Sequence, residues 1–137
     1  MPKSILIVDD SPQIRKLVRT YFDRETDFQI CGEAIDGLDA IEKATELHPD
    51  LIILDESMPR MDGLKAARIL HSMAIGAPII LFTLHAETIS SEDASEAGIA
   101  SIVSKTDGIN ELGEQVDSLL RYASGKGRAV HRVRSPE

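Results

Sequence analysis

The chain of 137 residues contains no tryptophan, few aromatic residues of any kind and a single cysteine, Cys31. One cysteine excludes an internal disulfide and is compatible with a reducing compartment, where we expect a buried, inert thiol. No apolar run approaches the roughly 20 residues that span a bilayer. The N-terminus has no apolar signal region. We therefore expect a cytoplasmic protein without a membrane segment.

Basic residues are scarce relative to acids, with 15 Lys and Arg against 23 Asp and Glu and a net charge of −8. Residues 123–137 hold four basic residues and one acid, a net +3, which leaves −11 for the rest of the chain. An acidic body with a small basic tail argues against direct nucleic-acid binding. The glycines and spaced basic residues of this tail predict a flexible segment after a folded domain of residues 1–122.

Strand-like and helix-like segments alternate five times along the chain, which predicts an α/β domain with a parallel sheet. A chain of this length with 42% hydrophobic residues is expected to form one compact domain. The first and the fifth predicted helices each have one apolar face. The fourth, about residues 90–97, contains only small apolar residues among acids, so we expect it to be the least firmly docked helix. The helices are predicted from Ser11-Pro12, over Gly37–Leu47, and over about residues 62–73, 90–97 and 109–122.

Polar residues stand at or just after the ends of four predicted strands: Asp9-Asp10, Asp55, Thr83 and Lys105. The carboxyl ends of parallel strands line one crevice, so these side chains are expected to meet. Three crowded carboxylates repel one another, and a hard divalent cation relieves that repulsion. Taken singly, Asp9 and Asp10 also fit helix-capping acids, Thr83 a strand end and Lys105 a surface charge. Together they predict a phosphate-handling site.

The motifs that carry this constellation resemble the receiver domain of bacterial two-component response regulators, over residues 4 to about 122. They are Val8-Asp9-Asp10-Ser11, Asp55 with Met58-Pro59 and Asp62-Gly63, Thr83, and Lys105. The resemblance implies a single doubly wound (βα)5 fold, with a parallel five-stranded sheet in the order 2-1-3-4-5.

The resemblance also implies the roles of the site residues. Asp55 would accept a phosphoryl group from the phosphohistidine of a sensor histidine kinase or a phosphotransfer protein. Asp9, Asp10, Asp55 and the backbone carbonyl of Ser57 would hold Mg²⁺, while Thr83 and Lys105 would contact the phosphoryl group. The chain would then be a signalling receiver that assists its own phosphorylation and dephosphorylation, and the fourth helix, fifth strand and fifth helix would form its switching surface.

Within the family, three segments resemble receivers that precede a LuxR/NarL-type DNA-binding domain: Gly32-Glu33-Ala34, Asp36-Gly37 and Thr83-Leu84-His85. That DNA-binding domain is not in this chain, so a stand-alone receiver and one cut from a longer regulator both stay open. The output partner is not identified, and a homodimer is left open. His85 fits either the rim of the site or a plain loop.

Three positions depart from the pattern common in receivers. Ile102 replaces an aromatic residue three positions before the lysine, which removes an aromatic-rotamer switch. Thr106 replaces a proline after the lysine; a non-proline cis bond costs about 3 kcal/mol, so a trans bond is expected. Glu56 follows the nucleophile, where we expect a solvated charge rather than a residue that concentrates cations.

Three other functions compete with this interpretation. A haloacid-dehalogenase-type phosphohydrolase would need a second aspartate two positions after the nucleophile, where the chain has Ser57. A flavodoxin-like electron carrier would need a phosphate-binding loop after the first strand, where Asp9 and Asp10 would repel a phosphate. A degenerate receiver that acts only as an interaction module is disfavoured because all the key residues are present.

Overall fold

Five parallel strands alternate with five helices in the computed structural model, which describes residues 2–121 and 131–132. The strands lie in the order β2-β1-β3-β4-β5, which confirms the predicted doubly wound (βα)5 fold. The strands are β1 (Ser4–Val8), β2 (Gln29–Ala34), β3 (Leu51–Leu54), β4 (Ile79–Thr83) and β5 (Ile99–Ser104). The helices are α1 (Pro12–Glu25), α2 (Gly37–Leu47), α3 (Gly63–Ser72), α4 (Ser91–Glu96) and α5 (Ile109–Arg121).

A sixth strand, β6 (His131–Arg132), pairs in parallel with Ser101 and Ile102 at the free edge of β5. The sequence analysis placed these two residues in the flexible tail and predicted no strand there. The rest of the tail, residues 123–130 and 133–137, lies outside the described part of the chain, so its flexibility stays a prediction.

The sheet is covered on both faces, which explains why its central strand β3 is apolar at every position. On one face, Ile5 and Ile7 of β1 belong to a core cluster with Val18 of α1 and Val116 of α5. The alternate side chains of the same strand, Leu6 and Val8, point into a second cluster built on α2, α3 and α4. The period-2 alternation of a strand therefore divides the helices into two layers.

The carboxyl ends of β1 and β3 and the starts of α1 and α3 lie at the same edge of the sheet. Ser11 caps α1 by accepting a hydrogen bond from the Ile14 amide at 3.3 Å, and Asp62 caps α3 through the Lys65 amide at 2.9 Å. These side chains satisfy amides that have no partner within their own helix. The helix starts that frame the polar edge are thus fixed by local sequence.

Helix α4 is the shortest α-helix among the described residues, and within it only Ala94 is buried. Such a small apolar contact stabilises the helix little, in line with the weak docking expected from its sequence. No helix in residues 2–121 combines the length and the apolar character that crossing a membrane requires.

Helix α3 starts so close to β3 that only glycine fits at Gly63. The Gly63 amide donates to the Glu56 carbonyl at 2.9 Å, and a Cβ there would overlap the Asp55 carbonyl oxygen. We expect Gly63→Ala to destabilise the fold by about 1–3 kcal/mol, because backbone atoms must move apart. Urea unfolding measures the loss. Gly76→Ala is the control, since its Cβ would enter open space; it should change stability by less than about 0.5 kcal/mol. Equal shifts in the two variants would contradict the prediction.

Candidate functional site

Three carboxylates converge at the carboxyl edge of the sheet, as the sequence predicts. Asp9 and Asp10 follow β1 and Asp55 follows β3, and one oxygen from each lies within 4.8 Å of the others. Asp9 and Asp55 are buried, with 3% and 5% of their surface exposed, whereas Asp10 is exposed. Crowded acidic oxygens of this kind are the ligands that hard divalent cations prefer. The donor set therefore fits Mg²⁺.

Lys105 brings a positive charge to the same cluster. Its Nζ lies 2.7 Å from Asp9 Oδ2 and 3.5 Å from Asp55 Oδ2, and the side chain is only 10% exposed. The residue begins a short 3-10 helix, Lys105–Asp107, which directly follows β5. The peptide bond between Lys105 and Thr106 is trans, as expected for a non-proline residue. One ammonium group thus bridges two buried carboxylates.

The pKa of Asp55 is raised above the ordinary value of an aspartate. Burial is the main cause, the negative charge of Asp9 adds to it, and Lys105 acts in the opposite direction. Burial disfavours the charged form, and a neighbouring carboxylate disfavours it further. An additional cation beside Asp55 would therefore stabilise the charged form of its carboxylate.

Thr83 is buried at the end of β4, with 1% of its surface exposed. Its Oγ1 accepts a hydrogen bond from the His85 amide at 3.4 Å, which ties the side chain to the turn that follows the strand. His85 itself is exposed. Ile102 is fully buried in the core cluster of α2, α3 and α4. The position that is aromatic in many receivers is therefore a packing residue here.

Asp9 has structural partners besides Lys105. Its Oδ1 accepts from the Ser11 amide at 2.9 Å. Ser11 itself is the N-cap of α1, so Asp9 supports the cap residue and does not cap the helix. Arg15 donates to the Asp9 backbone carbonyl at 2.7 Å and is held by Glu33 through a contact of 2.9 Å. The sequence analysis missed Arg15, because helical periodicity marks it only as a polar position on α1.

Glu56 corrects an expectation from the sequence. It is not a solvated charge, because its Oε1 accepts a hydrogen bond from the Leu64 amide at 2.7 Å. Burial raises the pKa of Glu56, while the bond from Leu64 lowers it. The close approach of α3 to β3 brings an unpaired helix amide over this side chain, and a contact across eight residues has no local sequence signal. In the sequence, the Asp62-Gly63 motif at the start of α3 was the feature that came closest to predicting this contact.

Ser57 is exposed in the loop between β3 and α3. The next residue, Met58, packs against the core, so the loop is anchored beside Asp55. The role of the Ser57 carbonyl as a metal ligand stays a prediction.

A doubly wound parallel sheet that gathers three acids, a lysine and a buried threonine at its carboxyl edge defines an α/β domain for phosphate and metal chemistry. The sequence matches the response regulator receiver domain family over residues 5–117. The chain belongs to this family, whose members are the receivers of two-component systems.

Relatives and solved structures agree with this assignment. The chain is 33% identical over 117 residues to a protein-glutamate methylesterase/protein-glutamine glutaminase of Nocardioides sp.; the match covers 84% of this chain and 32% of that protein. The chain thus spans about a third of the length of that relative. The fold is similar to a LuxR-family two-component response regulator from Aurantimonas sp., with a TM-score of 0.82, 28% identity and coverage of 99% and 91%. It is also similar to the CheX-CheY-BeF3-Mg complex from Borrelia burgdorferi, with a TM-score of 0.80, 25% identity and coverage of 88% and 90%.

The raised pKa of Asp55 predicts a pH effect on the metal-free protein. A carboxyl whose pKa is higher in the folded state binds its proton more tightly there, so the free energy of unfolding should fall as the pH rises through that pKa. Asp55→Asn removes this loss and leaves the shorter contact between Lys105 and Asp9 in place. The variant should therefore be more stable than the wild type at pH 7 in EDTA, and the gain should shrink towards pH 4.

Urea unfolding at several pH values measures this gain. Asp23→Asn is the matched control, because Asp23 is an exposed carboxylate on α1, remote from the cluster in sequence. If Asp55→Asn is less stable than the wild type at pH 7, the charge of Asp55 does not lower the free energy of unfolding and the prediction is wrong.

Proposed function

We propose that this chain is the phosphoacceptor of a two-component phosphorelay and that Asp55 accepts the phosphoryl group. The observation that carries the proposal is the buried Asp55 carboxylate beside Asp9 and Lys105 at the carboxyl edge of the sheet. A carboxylate that attacks a phosphate needs positive charge beside it, since both reacting groups are anionic. Family membership supports the same role.

Mg²⁺ is the proposed cofactor. Asp9, Asp10 and Asp55, with the backbone carbonyl of Ser57, would hold it, and the small separations among the three carboxylates support this ligand set. Mg²⁺ keeps several waters, so a few protein oxygens suffice. When bound, the ion would offset the negative charge between Asp55 and the incoming phosphate. The Borrelia complex, which contains Mg and BeF3, supports the choice of ion.

The proposed transfer is a displacement at phosphorus. An Asp55 carboxylate oxygen forms a bond to phosphorus while the bond from phosphorus to the imidazole nitrogen of the donor phosphohistidine breaks. The imidazole leaves with the electron pair. The Lys105 ammonium, already 3.5 Å from Asp55, pairs with the phosphoryl oxygens, and the Thr83 hydroxyl donates to them. In dephosphorylation, water would attack the phosphorus atom and the bond from phosphorus to Asp55 would break, while Lys105 and Thr83 contact the same phosphoryl oxygens.

The donor is expected to be a sensor histidine kinase or a phosphotransfer protein, as the family relationship implies. The acidic charge of the chain supports neither nucleic acid nor an anionic membrane surface as a direct partner, and the cytoplasm is the expected location. We propose no methylesterase activity, because the Nocardioides relative is matched over only 32% of its length. The output partner and a homodimer both stay open.

The switching surface is expected on α4, β5 and α5. Helix α4 buries little, so a small change in free energy can shift it. Its first turn is acidic, with Glu92 and Asp93, which favours a neutral or basic partner. Strand β6 already pairs with β5 at Ser101 and Ile102. A partner at this surface is therefore expected to contact the helices more than the edge of the strand.

Labelling tests the acceptor. Acetyl phosphate with Mg²⁺ should add one hydroxylamine-sensitive phosphoryl group, visible in the intact mass. Asp55→Asn should abolish the addition, and EDTA should suppress it in the wild type. Asp23→Asn, an exposed carboxylate outside the cluster, should label normally. Full labelling of Asp55→Asn would contradict the assignment, and no labelling of the wild type would favour a degenerate receiver.

Hydrogen exchange tests the switching surface. Beryllofluoride, a phosphoryl mimic, should change amide exchange within residues 84–106, because Thr83 precedes this segment, Lys105 lies near its end, and both can move towards the new group. The expected coupling is about 1–3 kcal/mol, enough to change partner affinity. With Ile102 in the core, the change should involve the loop and helix without a ring flip. Exchange changes confined to α1 and α2 would rule out this surface, and Asp55→Asn should show none.

A further inference from the structure

Asp36 is a buried charge that the proposed phosphoryl transfer does not use. It is the most deeply buried carboxylate of the described residues, with 1% of its surface exposed. A buried carboxylate is costly unless it is paired and hydrogen-bonded. The hydrogen-bond partners of its two carboxylate oxygens therefore show which segments Asp36 connects.

The two oxygens of Asp36 contact two different segments. Oδ1 accepts from the Asp39 amide at 2.9 Å and so caps α2. Oδ2 accepts from Arg60 Nε at 2.6 Å, across 24 residues. The hydrogen bond from Arg60 is the main cause that lowers the pKa of Asp36 below the ordinary value of an aspartate. The start of α2 is thus joined to the loop that follows β3.

A backbone contact lies beside this ion pair. The Gly37 amide donates to the Met61 carbonyl at 3.1 Å, and a Cβ at Gly37 would lie 2.7 Å from the same oxygen. Glycine is required because the helix start and the loop touch through their backbones. At the base of the same loop, the Gly63 amide donates to the Glu56 carbonyl at 2.9 Å. The loop is therefore held at both its tip and its base.

Arg60 adopts the left-handed backbone conformation, with φ of +64°. This conformation is unfavourable for a residue with a long side chain and persists when surrounding contacts compensate. The Arg60 side chain is 57% exposed, so apolar burial contributes little. The contact with Asp36 compensates for this cost, together with the backbone bond between Gly37 and the adjacent Met61.

We infer that the ion pair between Asp36 and Arg60 is a positioning contact that holds the loop of residues 56–62 in the geometry that binds Mg²⁺. This loop begins beside Asp55 and carries Ser57, whose carbonyl is the proposed backbone ligand. The inference rests on the proposed function. It assigns a role in metal affinity to two residues that do not touch the metal. If the tip of the loop lost its contacts, the three carboxylates would keep their positions, and the Ser57 carbonyl would bind Mg²⁺ less tightly.

Two variants remove the pair with little other change. Asp36→Asn keeps an oxygen that caps α2 and removes the charge. Arg60→Asn removes the guanidinium and tolerates the left-handed conformation. Arg121→Gln is the matched control, because Arg121 is also an exposed arginine paired with a carboxylate, Asp117 on α5. The double variant, Asp36→Asn with Arg60→Asn, tests whether the two residues act together.

The first measurement is the rise in melting temperature as Mg²⁺ is added, which reports metal affinity without phosphoryl transfer. Both single variants should need roughly tenfold more Mg²⁺ than the wild type for the same rise in melting temperature, the lower end of the range for changes around metal ligands. The double variant should be no weaker than either single, since one contact is lost in all three. The control should match the wild type.

The second measurement separates positioning from general destabilisation. The rate of labelling by acetyl phosphate should be restored in both variants at saturating Mg²⁺. In EDTA, the Gly37 amide should exchange faster in Arg60→Asn than in the wild type, because its bond to Met61 is released.

Mg²⁺ titrations of both variants that match the wild type would overturn the inference and leave the proposed function intact. A reduced labelling rate at saturating Mg²⁺ would also overturn it, because the pair would then serve more than metal binding. A wild type that neither responds to Mg²⁺ nor becomes labelled would overturn the proposed function and this inference together.

Discussion

The contact of one lysine with two buried carboxylates is the constraint on which the rest of this site depends. Asp9 and Asp55 come from different strands, and each raises the free energy of the other's charged form. Lys105 offsets that cost at 2.7 Å from one and 3.5 Å from the other. The raised pKa of Asp55 shows that a single ammonium does not balance the cluster. A cation or a phosphoryl group added here would change the balance of charges around Lys105.

Backbone contacts keep this cluster in place. Gly63 lets α3 approach the end of β3, and Gly37 lets α2 touch the loop after Asp55. Arg15 holds the Asp9 carbonyl from the other side of the sheet edge. Rigid elements of this kind pre-organise a site, so that binding does not have to order it. The proposed conformational change is then expected in the segment from Thr83 to Lys105, which includes the weakly packed α4.

Most of the fold could be predicted because its signals are local. The run Ile5-Leu6-Ile7-Val8 is apolar throughout, as a strand covered on both faces must be, and Ser11-Pro12 marks a helix start. The two short 3-10 helices, Ala86–Thr88 and Lys105–Asp107, were not predicted, because three residues carry no periodicity. Strand β6 was missed because its pairing depends on the exposed edge of β5 and not on its own composition.

The sequence by itself determined where the site lies and which charges it contains, since parallel topology brings the carboxyl ends of all the strands to one edge whatever the loops do. Only the tertiary structure decided which charges pair. Lys105 contacts Asp9 more closely than Asp55, Glu56 caps α3, and Arg60 reaches Asp36 across 24 residues. These pairings depend on segments whose backbones lie close together and on the left-handed backbone conformation of Arg60. Their energies come from distances of a few ångströms between segments far apart in the chain, which local propensity and periodicity do not encode.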